Sequence, residues 1–201
     1  MVDDIDPGSP GDAGDLNASD FELAKNRANF GDLTPEDYER QSRDQPAPFA
    51  EAGPMPLEIE KAQAFLDACI EAGVSYGLGA KVPFFRAVPG QDFTAVDCSG
   101  FVREAIRQAT ERAVRFPDGS VVQHDWIKAE GYPVSSVQAA KAQDNKVRIA
   151  FWPPQRSPTG IGHVVLVYNA RTLESHGGTG PDSRPWTGQA WQGQTNVYEL
   201  T

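Results

Sequence analysis

The chain reads as an α+β protein, with N-terminal helices followed by an antiparallel sheet, and three observations carry that reading. Apolar residues recur at helical spacing over residues 57–72 and again after Cys98. From residue 147 onward the pattern changes to short β-branched runs bounded by Gly, Pro and Asn. Helices grouped before strands point to α+β rather than alternating α/β architecture.

The first helix is expected from Leu57 to about Ala72, with Ala62, Phe65, Leu66, Cys69 and Ile70 on one stripe and Gly73 ending it. Tyr76-Gly77-Leu78-Gly79-Ala80 and a loop through Gly90 lead to a second helix, from Cys98 to about Val114. Residues 117–146 read as irregular, with a short helix around Val137–Gln143. Val147–Trp152, His163–Tyr168 and Arg171–His176 are expected strands, the last two forming a hairpin across Asn169-Ala170. Val197–Leu200 is expected to close the sheet.

Charge divides the chain in two. The net charge is −10, and residues 1–56 hold 13 acidic against 4 basic side chains, leaving 15 against 14 for the other 145 residues. Residues 1–56 are therefore expected to be an acidic extension and linker, with residues 57–201 as the folded domain. The first 20 residues carry six aspartates and no Lys or Arg, a composition that cannot bury a core. Thr34-Pro35 reads as a helix start, within a segment that is either a short docking helix or part of the tail, and Pro46, Pro48, Pro54 and Pro56 punctuate the linker. A basic footprint for nucleic acid is absent. No apolar run reaches membrane-spanning length, and the start lacks the basic and apolar regions of a Sec leader. Cys69 falls in the apolar stripe and is expected as a buried free thiol, and no metal-ligand spacing or cofactor motif is read.

Chemistry is concentrated at Asp97-Cys98-Ser99-Gly100-Phe101. A cysteine at a helix start sits among unsatisfied N–H groups and the positive dipole end, which favour negative charge on sulfur. Such a nucleophile needs a base and an orienter. His163 opens a strand after Gly162, and His176 lies one hairpin later, with Glu174 or Ser175 taking its place if the register shifts. His124 is expected in a surface loop, with the cleft wall as its alternative. Trp126, Trp152, Trp186 and Trp191 are expected as core or rim aromatics.

Cysteine on a helix, histidine on a strand and a later polar orienter make a papain-like arrangement. Together, Asp97-Cys98-Ser99-Gly100-Phe101, Gly162-His163-Val164 and the polar residue of the following strand resemble the NlpC-type cell-wall cysteine peptidases over roughly residues 57–200. The resemblance implies a papain-like fold and hydrolysis of peptidoglycan stem peptides, commonly at the γ-D-glutamyl-to-diamino-acid bond, with no cofactor. It implies Cys98 as nucleophile, His163 as general base and His176 as orienter. Tyr76 corresponds to a tyrosine near the oxyanion and substrate site, and Asp97 and Ser99 to positions that contact the stem peptide. Asp97 also reads as a helix N-cap, and the Cys98 amide as an oxyanion donor. The family's Gly-Asp pair before the histidine strand is replaced here by Lys146-Val147-Arg148. Delivery as a virion component, a lysin or a secretion-system effector fits, with residues 1–56 docking to a carrier. The competing readings are a silent structural protein of a phage or secretion apparatus, and a thiol amidase or acyltransferase on a non-wall substrate.

Overall fold

A computed structural model describes residues 54–201. The expected extension, its Thr34 helix and most of its proline linker lie outside the described residues. Packing begins slightly before Leu57: Met55 is buried, and its N–H donates to Leu200 O at 2.7 Å.

The described chain is α+β, with a few helices and an antiparallel sheet. Helix α1 (Ile59–Glu71) buries Ile59, Ala62, Phe65, Leu66 and Cys69, the stripe expected from spacing. Two short parallel strands, β1 (Ser75–Tyr76) and β2 (Ala95–Val96), pair Tyr76 with Val96 and so bring residue 76 beside the approach to Cys98. Helix α2 (Cys98–Ala109) follows directly. It stops five residues earlier than Val114, because Glu111 and Arg112 take positive φ values of 48° and 63°. Neither residue carries the glycine signal that normally marks such a stop.

Helix α3 (Ser120–Ala129) was not expected. Its buried residues are Gln123 and Ile127, so a polar side chain occupies half its core stripe and erases the apolar rhythm. Gln123 is at home there because its amide nitrogen donates to Ser99 O and Pro117 O, both at 2.9 Å. The expected helix near Val137 shrinks to a 3₁₀ turn at Ala139–Lys141.

The sheet comprises β3 (Val134–Ser135), β4 (Val147–Trp152), β5 (His163–Tyr168), β6 (Arg171–His176), β7 (Gly180–Asp182) and β8 (Asn196–Glu199). Their spatial order is β3-β8-β4-β5-β6-β7, antiparallel throughout. Strand β8 thus inserts between β3 and β4 instead of closing an edge. Asn169 and Ala170 both have positive φ, 46° and 61°, as a two-residue turn with the right-handed twist of a hairpin requires.

Each sheet face has its own core. Val164, Leu166 and Leu173 pack with Phe101, Val102 and Ile106 of α2 and with α1, where Phe65 and Phe101 stack at 5.4 Å. On the other face Ala150, Trp152, Val165 and Val167 meet Trp186 and Trp191. Gly180 locks β7 against the β1 approach. Its φ is 101°, and a Cβ there would collide with the backbone of Val74 and Ser75.

Candidate active site

Cys98 stands at the first position of α2, buried at 5 % exposure. Asp97 caps the helix, accepting from the Gly100 amide at 2.7 Å through Oδ1, while its carbonyl takes the Phe101 amide at 2.9 Å. The Cys98 amide is not among the donors this cap uses. Lys81 Nζ reaches Asp97 Oδ2 at 2.6 Å, Ser99 Oγ at 2.7 Å and Asp118 Oδ1 at 3.0 Å. Burial works against the Lys81 charge, but Asp97 and Asp118 together raise its pKa. Arg103 extends the network to Asp118 at 3.2 Å. The glycine of the Cys-Ser-Gly run is explained by this cluster, since a Cβ on Gly100 would meet Lys81 Cδ at 3.0 Å and Ala80 O at 3.1 Å.

The side chains of Asp97 and Ser99, expected as substrate-contacting, are engaged in this network. Both side chains are buried. Ser99 Oγ donates to Asp97 Oδ1 at 3.1 Å, and Asp97 Oδ2 also takes the Gly79 amide at 3.1 Å. They hold the helix start and its loop, with little surface left for a ligand. Tyr76 lies on β1, half-buried, with its backbone paired to Val96 two residues before Cys98.

His163 opens β5 as expected, with Cys98 near enough to its ring to raise its pKa. Its Nε2 pairs with Glu174 Oε2 at 2.8 Å, which leaves Nδ1 as the nitrogen for the sulfur. Glu174 is fully buried, accepts from Arg184 Nη2 at 2.9 Å and Nε at 3.0 Å, and takes the Thr172 hydroxyl at 2.5 Å. Burial opposes charge on both partners, and the hydrogen bonds overcome it. Cys98 and Glu174 raise the His163 pKa to about 10; His163 and Arg184 hold Glu174 down at about 2. Trp191 closes over the imidazole edge-on, with ring centroids 5.2 Å apart.

His176 is not the partner of His163, which corrects the expected triad. The hairpin ladder pairs Leu166 with Leu173 and Val167 with Thr172. Continued, that register would set His176 directly opposite His163, but the ladder ends at Leu166–Leu173, and Glu174, the diagonal same-face neighbour, is the side chain that reaches the ring. The His176 ring engages Asp182 Oδ2 on β7 at 3.3 Å and Gly177 O at 3.0 Å. Sequence reasoning held Glu174 only as an alternative, because the turn register was unknown. Arg184 was missed altogether: it lies beyond β7, in a segment without periodicity.

A cleft of about 460 Å³ opens beside His163. Its walls include Ser120, His124 and Asp125 of α3, Trp152 at the end of β4, Pro154 and Arg156 of the following 3₁₀ turn, and Asn196. His124 accordingly sits on a helix in the cleft wall. Its Nε2 lies 2.9 Å from Tyr198 Oη and 3.5 Å from Asn196 Nδ2. Burial lowers its pKa, Lys128 lowers it further, and Asp125 opposes the shift.

Among the described residues, no three His, Cys, Asp or Glu side chains converge as metal ligands, and no helix is long and apolar enough to cross a membrane. Comparison with models of known protein families finds no match, and comparison with curated proteins finds none either. A sulfur beside an imidazole held cationic by a buried carboxylate is equipped to attack an electrophilic carbon and to pass on a proton.

Proposed function

We propose that the protein is a papain-like thiol hydrolase that cleaves amide bonds in the stem peptides of peptidoglycan. One observation carries this reading: the His163 ring is held through Nε2 by buried Glu174, itself paired with Arg184, and lies near enough to Cys98 for the sulfur to raise its pKa. The papain-like assignment is supported by the order of helix-borne cysteine, strand-borne histidine and orienting carboxylate on the next strand. The choice of wall peptide rests on the resemblance of the Cys98 and Gly162-His163 motifs to NlpC-type peptidases, whose preference makes the γ-D-glutamyl-to-diamino-acid bond the expected target.

In the proposed reaction Cys98 Sγ attacks the carbonyl carbon, and the oxyanion is met by the Cys98 amide at the helix start. His163 protonates the departing amine as the C–N bond breaks, leaving a thioester. His163 then takes a proton from water, the water attacks the thioester, and the acid and the thiol are released. Glu174 is a positioning residue throughout: it fixes the ring and offsets its charge, while Arg184 keeps the carboxylate ionised. Delivery to the wall on a virion, as a lysin or as a secreted effector belongs to the same proposal, with residues 1–56 as the carrier-docking element.

A structural protein retaining this fold is the second reading, and the burial of Cys98 favours it. Mass spectrometry of peptidoglycan digested with wild type and with Cys98→Ala separates the two. New muropeptides present only with wild type are the expected result, and their masses name the bond. Identical digests, with Cys98 also inert to iodoacetamide at neutral pH, would overturn the hydrolase reading.

A further inference from the structure

The cleft beside His163 has a direction. Its walls include His163 but not Cys98. In the proposed reaction the histidine must hand its proton to the departing amine, so the amine side of the scissile bond has to pass over His163. A cavity that adjoins the histidine and not the sulfur is placed to take that side.

The polar groups of the cleft form a chain with a fixed sense. Arg156 has only donors, and its Nη1 approaches Asn196 Oδ1 at 3.5 Å while donating to Gln194 O at 2.7 Å. That orients the Asn196 amide, so Nδ2 is the group facing His124 Nε2. Nε2 must then accept, from Asn196 and from Tyr198 Oη, and the imidazole proton resides on Nδ1. Nδ1 has no hydrogen-bond partner among the described residues. A neutral histidine with a committed acceptor and an unused donor can bind a carbonyl oxygen. Arg156, exposed at the mouth, keeps guanidinium donors for an anion. Asp125 at the rim is drawn off by Lys128 at 3.4 Å.

Resting on the thiol-hydrolase reading, we propose that this cleft is the leaving-group subsite, taking an amine-side residue or dipeptide that ends in a free carboxylate. His124 Nδ1–H donates to its carbonyl oxygen and Arg156 pairs with its carboxylate. The substrate class is thereby narrowed to peptides with a short, acidic-ended amine side; long continuing chains are disfavoured.

The test uses the full chain carrying Cys98→Ala, labelled with ¹⁵N-histidine and titrated with Lys-D-Ala and, separately, with its C-terminal amide. Before ligand, the His124 resonances are expected to show the Nδ1–H tautomer. Lys-D-Ala is expected to shift Nδ1 and to quench Trp152 fluorescence. The amide is expected to bind about tenfold more weakly, the size of one charge-assisted hydrogen bond, and Arg156→Gln to abolish that preference. Equal binding of acid and amide, a His124 signal indifferent to both, or an Nε2–H tautomer would overturn the proposal. Iodoacetamide labelling of wild-type Cys98 is measured alongside. An inert thiol with acid-selective binding intact overturns the hydrolase reading and leaves the cleft as a carboxylate-binding site.

Discussion

Two histidines border one cleft from opposite walls, and their surroundings drive them to opposite charge states. On the sheet wall His163 is flanked by the Glu174 carboxylate and the Cys98 sulfur, and its pKa is raised to about 10. On the helix wall His124 faces a phenol and an amide, and its pKa is lowered. Both lose hydration, so burial does not make the difference. What separates them is a counter-ion held in place by a second cation: Arg184 keeps Glu174 ionised, and Glu174 keeps His163 protonated. One fold thereby presents a proton donor and a neutral hydrogen-bonding group to the same space.

Removing the counter-ion is the most severe way to break this contrast. Glu174→Gln is expected to lower amide hydrolysis by roughly a hundredfold or more, the scale of a lost acid–base function. It should cost about 1 kcal/mol of stability, the scale of exchanging charge-assisted hydrogen bonds to a buried carboxylate for neutral ones. Imidazole ¹⁵N shifts should show the His163 pKa falling from about 10 toward its ordinary range. His176→Gln, the control on the same strand, should leave His163 protonated at pH 8.

The pair also sets a pH window for stability. His163 is raised from 6.5, so its contribution is complete below pH 6.5 and is lost as pH climbs through about 10. Glu174 is lowered from 4.5, so its contribution is complete above pH 4.5 and is lost as pH falls through about 2. Both act fully between pH 4.5 and 6.5. Thermal unfolding of wild type should therefore lose Tm as pH rises from 6.5 toward 10, and Glu174→Gln should flatten that slope.

A smaller perturbation moves the walls themselves. Gly162 sits where they meet: a Cβ there would lie 3.0 Å from Ser120 Oγ and 3.2 Å from Pro154. Gly162→Ala should cost about 2 kcal/mol in chemical denaturation, the usual size of overpacking. It should also slow hydrolysis, because His163 is the next residue. The gentlest test has the opposite sign. Ala170 holds φ 61° without a glycine's freedom, so Ala170→Gly should raise stability by about 1 kcal/mol and leave the cleft unchanged.

The same contrast explains what could be read from sequence. The Cys98 helix start and the His163 strand start were legible because each coincides with a local signal: an aspartate cap and an apolar rhythm for one, a Gly-to-β-branched transition for the other. Helix α3 was hidden by Gln123, whose amide nitrogen donates to Ser99 and Pro117 where an apolar stripe residue would be expected. The third member was misassigned because Glu174 and His176 share a face, and strand alternation alone cannot choose between residues two apart. Arg184 and the Arg156–Asn196–His124 chain depend on loops and on strand insertion, neither of which leaves a periodic trace.

The hairpin turn at Asn169-Ala170 acts as a selector. Glu174 and His176 stand on the face of β6 that His163 shares, while the Ser175 hydroxyl is turned to Val96 O, and the two-residue connection sets that parity. Lengthening the turn by one residue would exchange one face of β6 for the other without altering any residue of the site. Indels in this loop are therefore an engineering handle on which face of β6 meets the His163 ring, reaching variants that point substitution at Glu174 would not.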